Sequence, residues 1–132
     1  MNLTFFAQAP HYIAPNHIDM RCLRLQGHEA GPSQALWIGL SQILPGGHTG
    51  LDASSLEKHY VVIEGELTLI SELSGQTTQA VLGPNDSVCF EPGEKRQLLN
   101  RTNKTVSVLL AMPYPPTTPL PPPPVSDPSL LR

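Results

Sequence analysis

Five polar side chains have the types needed to recognise a charged small molecule: Asp52, Ser54, Lys58, Tyr60 and, further along, Arg96. Arginine offers a planar fork that grips a carboxylate or phosphate through two parallel hydrogen bonds, and lysine adds a compact point charge. A lysine held near an arginine also tends to lose its proton, which would make its amine a base or a nucleophile toward a carbonyl. A second donor set runs through the same stretch. Glu57 and His59 are two residues apart and so share one face of a strand, and His48 precedes them. Imidazole nitrogen and carboxylate oxygen suit Fe, Mn, Ni or Zn. His59 and Tyr60 are adjacent and point to opposite faces, and Tyr60 reads first as a packed aromatic. His11, His17, His28 and His48 fall in or near expected loops and read as surface residues. Trp37 begins the apolar run Trp37-Ile38-Gly39-Leu40 and reads as core. Cys22 and Cys89 lie far apart, outside any Cys-x-x-Cys pair, and read as buried, inert thiols.

The elements that must position these residues are short strands. Candidates are 20–25, 35–44, 59–70, 77–82, 87–90, 97–99 and 105–111, all rich in Val, Ile, Leu and Thr with frequent alternation. They are punctuated by Pro45-Gly46-Gly47, Glu64-Gly65, Ser74-Gly75, Gly83-Pro84-Asn85-Asp86 and Glu91-Pro92-Gly93. No segment keeps a 3.6-residue period beyond ten residues, and no repeat of solenoid length is present. Many short strands with Gly/Pro turns predict an all-β sandwich or barrel. Residues 17–112 form this expected barrel. Residues 1–16 are expected to be an arm able to pair with a sheet edge. Residues 113–132 form a proline-rich tail, with nine prolines between 113 and 128. Proline lacks a ladder donor, so the tail is expected to be extended polyproline II, packed on its own domain or a partner subunit, disordered, or read by a partner.

Two spaced motifs carry a resemblance. Gly46 is followed after five residues by Asp52-x-Ser54, after three more by Lys58, and after six more by Gly65. Then Asn85, Glu91, Gly93, Arg96 and Asn100 follow one another at a second set of spacings. This pair resembles the paired signatures of the cupin superfamily, over residues 35–111. The resemblance implies an all-β, cupin-type double-stranded β-helix, a jelly-roll barrel of RmlC-like form. It matches the family at Gly46, Gly65, Gly93 and Asn100, and departs from it at Asn85 and Glu91. In metal-binding cupins two His, one Glu and a third His converge on one ion. Those positions here read Asp52, Ser54, Lys58 and Arg96. Lysine is cationic at neutral pH and arginine does not deprotonate, so two cations would face the ion and repel it by several kcal/mol at an effective dielectric of ~20. The expectation is therefore no metal cofactor. A register slid by one residue offers an alternative divalent transition-metal site at His48, Glu57 and His59. The run 57–69 also resembles the ligand-poor half of bicupin (S)-ureidoglycine aminohydrolases, without their manganese set.

With 132 residues the chain has room for one domain. A net charge of −3 with no basic run gives nucleic-acid binding no electrostatic support. No apolar stretch approaches a ~20-residue membrane span. The N-terminal run lacks a positive n-region, and the cytoplasm is the expected compartment. Three functions stand open: a metal-free cupin binding a small anionic metabolite, a carboxylate or phosphate, in the barrel through Asp52, Ser54, Lys58, Tyr60 and Arg96; a metal-dependent hydrolase, isomerase or dioxygenase with the alternative ligand set; and a structural or partner-binding protein using the tail. Whether the chain is an enzyme is left undecided by the residues. The resemblance also implies a homodimer, since pairing covers exposed sheet edges.

Overall fold

The computed structural model describes residues 1–116. Their order is a 3₁₀ turn (Phe6–Gln8), β1 (His11–Tyr12), β2 (His17–Gln26), a second 3₁₀ turn (His28–Ala30), β3 (Leu36–Thr49), β4 (Asp52–Ala53), β5 (Lys58–Glu64), β6 (Leu67–Leu73), β7 (Gln76–Leu82), β8 (Ser87–Phe90), β9 (Lys95–Leu99) and β10 (Val106–Pro113). Every strand pairing is antiparallel. The main path runs β7-β6-β9-β3-β10-β5-β8, with β2 also on β3, β1 on β2 and β4 on β9. The chain is thus a nearly closed antiparallel barrel, as the strand and turn pattern predicted.

The long β3 is what wraps the sheet on itself. Its first half pairs with β2 and β10 as far as Ile43, and its end pairs again with β2 at His48 and Thr49 and with β9 at His48. Pro45-Gly46-Gly47, expected to end a strand, instead forms a bulge inside β3. Gly46 takes φ +79°, and its N–H donates to the Asn100 carbonyl at 3.0 Å while the Asn100 N–H donates to the Gly47 carbonyl at 2.9 Å. Pro45 is exposed where no ladder donor is needed. A side chain at Gly47 would meet the Asp19 carbonyl at 2.5 Å, so the crossing of β2 and β3 is close. The expected strand 59–70 is two strands, divided at Gly65, which turns at φ +87°.

Alternation then sets the core. β10 buries Val106, Val108, Leu110 and Met112, β5 buries Tyr60 and Val62, and β6 buries Leu67 and Leu69. Ile43, Leu98 and Phe90 complete the cluster. Asn100 is buried at 1% exposure and fully used: its amide donates to the Ile43 and Lys104 carbonyls, and its oxygen accepts from the backbone N–H and hydroxyl of Thr102. That is the physical reason an asparagine stands at the end of the second motif: it locks the β9–β10 turn to β3. β1 pairs with Leu23 and Cys22 of β2. Pro113, assigned to the tail in the sequence reading, is the last residue of β10, where its missing donor breaks no ladder. Just beyond it Tyr114 packs against the core and its hydroxyl accepts the His28 N–H at 2.9 Å, while the expectations for residues 117–132 lie outside the described residues. No helix among the described residues is long and apolar enough to cross a membrane.

Candidate functional site

β4, β5 and β9 aim the first set of candidate residues into one cavity of about 490 Å³. Asp52 is the direct cross-strand partner of Arg96 in the β4–β9 pair. Lys58 and Tyr60 are two residues apart on β5 and share its inner face. Asp52, Ser54, Lys58, Tyr60 and Arg96 all line this cavity. The spacing of the two motifs therefore brought together the residues it singled out.

Their contacts divide them into fixed and free groups. Arg96 is held by two bonds: Nη1 donates to the Asp52 carbonyl at 2.9 Å and Nε donates to the Tyr60 hydroxyl at 3.3 Å. Asp52 accepts from the Asn16 amide at 3.0 Å. Ser54 is a turn residue, its hydroxyl accepting the Leu56 N–H at 3.0 Å. Among the described residues no carboxylate comes within 4.0 Å of the Lys58 ammonium or the Arg96 guanidinium; the ion pairs are Arg24–Glu29, His59–Glu57 and Lys95–Glu72. Asp52, Lys58 and Arg96 therefore form no salt bridge with one another.

Electrostatics follow from this crowding of cations. Lys58 is pushed down from 10.5 to about 8, first by burial and then by the Arg96 charge, with Asp52 opposing. His17 is lowered by burial and by the charges of Lys58 and Arg96. Burial pushes the Tyr60 phenol up. The cavity donor set does not fit a divalent ion. Lys58 and Arg96 present N–H donors and positive charge where a metal needs lone pairs.

The cavity has walls that the motifs did not announce. His17, read as a surface histidine, lines it, with Nδ1 2.6 Å from the Pro15 carbonyl. Asn16 and Tyr12 come from the N-terminal stretch, and Arg24, Trp37 and Leu110 line the cavity too. The Arg24 guanidinium lies 3.6 Å from the Tyr12 ring centre and 4.4 Å from that of Trp37. Trp37 is both core and cavity wall. Its position before Ile38-Gly39-Leu40 on an alternating strand was a usable signal; for Tyr12, Asn16 and His17 no motif existed.

The alternative metal set does not assemble in the barrel. Because Lys58 and Tyr60 face inward, Glu57 and His59 face outward and are exposed. His48 stands on β3 opposite Leu99 and is outside the Glu57–His59 pair. Cys22 is buried as expected, but Cys89 is exposed on β8, contrary to its reading as a buried thiol, because β8 is an edge strand whose outer face is bare.

No family model matches the chain. Among curated proteins, it is 39% identical over 115 residues to a Mycobacterium tuberculosis protein named Beta-D-galactosidase Rv1717, covering 87% of this chain and 96% of that protein. Among solved structures, it superposes on the polyketide cyclase RemF from Streptomyces resistomycificus with a TM-score of 0.73 at 19% identity, over 86% of this chain and 79% of that one. A sugar phosphate isomerase of the cupin superfamily from Silicibacter pomeroyi gives 0.69 at 20% identity, over 85% of this chain and 75% of that one.

Proposed function

This chain belongs to the cupin superfamily and to the family of the mycobacterial protein named Beta-D-galactosidase Rv1717, and we propose that its cavity binds and hydrolyses a small glycoside of the β-D-galactoside class without a metal. The observation that carries this reading is the meeting of one carboxylate, Asp52, with two cations, Lys58 and Arg96, that have no ion-pair partner among the described residues, in a cavity of about 490 Å³. Glycoside hydrolysis generally needs an acid for the departing oxygen and a base for water, and most glycosidases use two carboxyl groups. Among the described lining residues only Asp52 is acidic. The proton donor in this reading is therefore the Lys58 ammonium. Its proton passes to the glycosidic oxygen as the C–O bond breaks. Water bonds to the anomeric carbon and gives its proton to the Asp52 carboxylate. Arg96, fixed by Tyr60 and the Asp52 backbone, orients the sugar through its remaining N–H groups.

The charge balance supports a second reading, the binding of a small anionic metabolite, a carboxylate or phosphate, without chemistry. With Arg24 of the cavity wall paired to Glu29, Lys58 and Arg96 against Asp52 leave the cavity with an excess positive charge that a bidentate acid group on Arg96 would neutralise. The two readings separate in one experiment. Turnover of an aryl β-D-galactoside is measured for the wild type, Asp52→Asn and Lys58→Met, alongside calorimetric titration with inorganic phosphate. The hydrolytic reading requires turnover that falls roughly 10²- to 10⁴-fold in each variant. Absent turnover with phosphate binding that Lys58→Met weakens selects the binding reading, and neither signal overturns both.

A further inference from the structure

The outer face of the barrel carries a group of donors unrelated to the cavity. His59 on β5 and Cys89 on β8 are direct cross-strand partners, and Glu57 precedes His59 by two residues on the same outward face. The His59 Nε2 lies 2.6 Å from the Glu57 Oε1 and 3.9 Å from the Cys89 Sγ. The three ligand atoms all lie within 4.8 Å of one another. Zinc bonds of 2.0–2.1 Å to nitrogen, 2.0–2.2 Å to oxygen and 2.3 Å to sulfur at tetrahedral angles require donor separations of about 3.3–3.6 Å. The observed separations bracket that range, so small side-chain rotations suffice. We propose that Glu57, His59 and Cys89 form a surface site for a Zn²⁺-class divalent ion, with at least one coordination position open.

Three features favour an ion there over a bare His–Glu pair. The donors differ in kind, one nitrogen, one oxygen and one sulfur, a combination suited to Zn²⁺ and Co²⁺ and poor for Mg²⁺ or Ca²⁺. Two of them stand on paired strands, so the ladder holds their backbones in place without a flexible loop. The surroundings are anionic as well: after burial, the carboxylates of Glu57, Glu94 and Glu91 push the Cys89 thiol up. A divalent ion would satisfy that field. As the metal–sulfur bond forms, the thiol proton leaves to solvent. This site is separate from the cavity, whose Lys58 and Tyr60 point to the other side of β5.

Titration of the full chain with Co²⁺ alone tests this directly, since a cobalt–thiolate bond gives a charge-transfer absorption. The expected result is one equivalent bound with that absorption, displaced by Zn²⁺, unchanged in Lys58→Met and lost in Cys89→Ser and in His59→Ala. All three side chains are solvent-exposed, so these variants should fold, and their unperturbed thermal unfolding without metal verifies this. Zn²⁺ should raise the unfolding temperature of the wild type and leave that of Cys89→Ser unmoved. A wild type showing no thiolate absorption, or a Cys89→Ser/His59→Ala double variant that keeps its stoichiometric ion, overturns the site.

Discussion

At the scale of single residues, the account turns on charge. The Lys58 ammonium is partly desolvated, stands near Arg96 and has no carboxylate within 4.0 Å among the described residues. Removing it with Lys58→Met should therefore stabilise the unliganded protein at pH 7, seen as a higher thermal transition, while weakening ligand binding. The pH dependence follows from the same residue. The unfolded chain keeps the lysine proton to its ordinary 10.5, the folded chain only to about 8. Between these values the unfolded state binds more protons, so the Lys58 contribution makes the fold more stable as pH rises from about 8 toward 10.5. Binding runs the other way. Affinity for an anion such as inorganic phosphate, and any step that uses the ammonium as an acid, should fall as pH rises through about 8, and calorimetry across that range reads it. Arg96→Met should cost about 1.5–3 kcal/mol of binding, roughly ten- to hundredfold in Kd, from the loss of charge-assisted hydrogen bonds. The meeting of Asp52, Lys58 and Arg96 was legible in the sequence because motif spacing fixes strand register. The place of His17 in the cavity wall was not, because a histidine at the start of a strand after Pro15-Asn16 looks like any surface residue until the chain folds across the cavity.

At the scale of elements, Asn100 and the β3 bulge carry the positioning. Asn100→Ala would leave the Ile43 and Lys104 carbonyls without their side-chain donor. The expected loss is about 1–3 kcal/mol, measured by denaturant unfolding, with Asn100→Asp failing to restore the two donated bonds. Gly65→Ala should destabilise by a similar amount. Its φ is +87°, and an added Cβ would sit 3.0–3.1 Å from Val106 and the Thr105 carbonyl. Strand existence was readable from alternation, as in Ser87–Phe90, which the structure reproduces residue for residue. What alternation misses is continuity. Pro45-Gly46-Gly47 has the composition of a terminator, yet the ladder resumes at His48 because the bulge is bridged from Asn100, 53 positions after Gly47. A contact of that range leaves no local trace. Likewise, Cys89 lies in an alternating stretch that reads as half-buried, and only the edge position of β8 exposes it.

At the scale of the whole molecule, the barrel supplies the frame that holds the site strands in register, and its core residues Trp37, Tyr60, Leu98 and Leu110 also line the cavity. The fold class was the most legible property, because short alternating strands with Gly/Pro punctuation admit few architectures. The function was the least legible, because one frame of this kind serves many functions and the choice lies in a few side chains. Ligand occupancy should nonetheless register globally. At a hundred times its Kd, a ligand confined to the folded state should add about 2.7 kcal/mol to stability, and the Arg96→Met variant should gain far less at the same concentration. The most direct measurement is a crystal structure of the protein soaked with a β-D-galactoside or galactose at high concentration. The account predicts sugar density inside the barrel, against Asp52, Lys58 and Arg96. A transition metal coordinated at that position, or sugar bound elsewhere with Lys58 and Arg96 turned to bulk solvent, would contradict it.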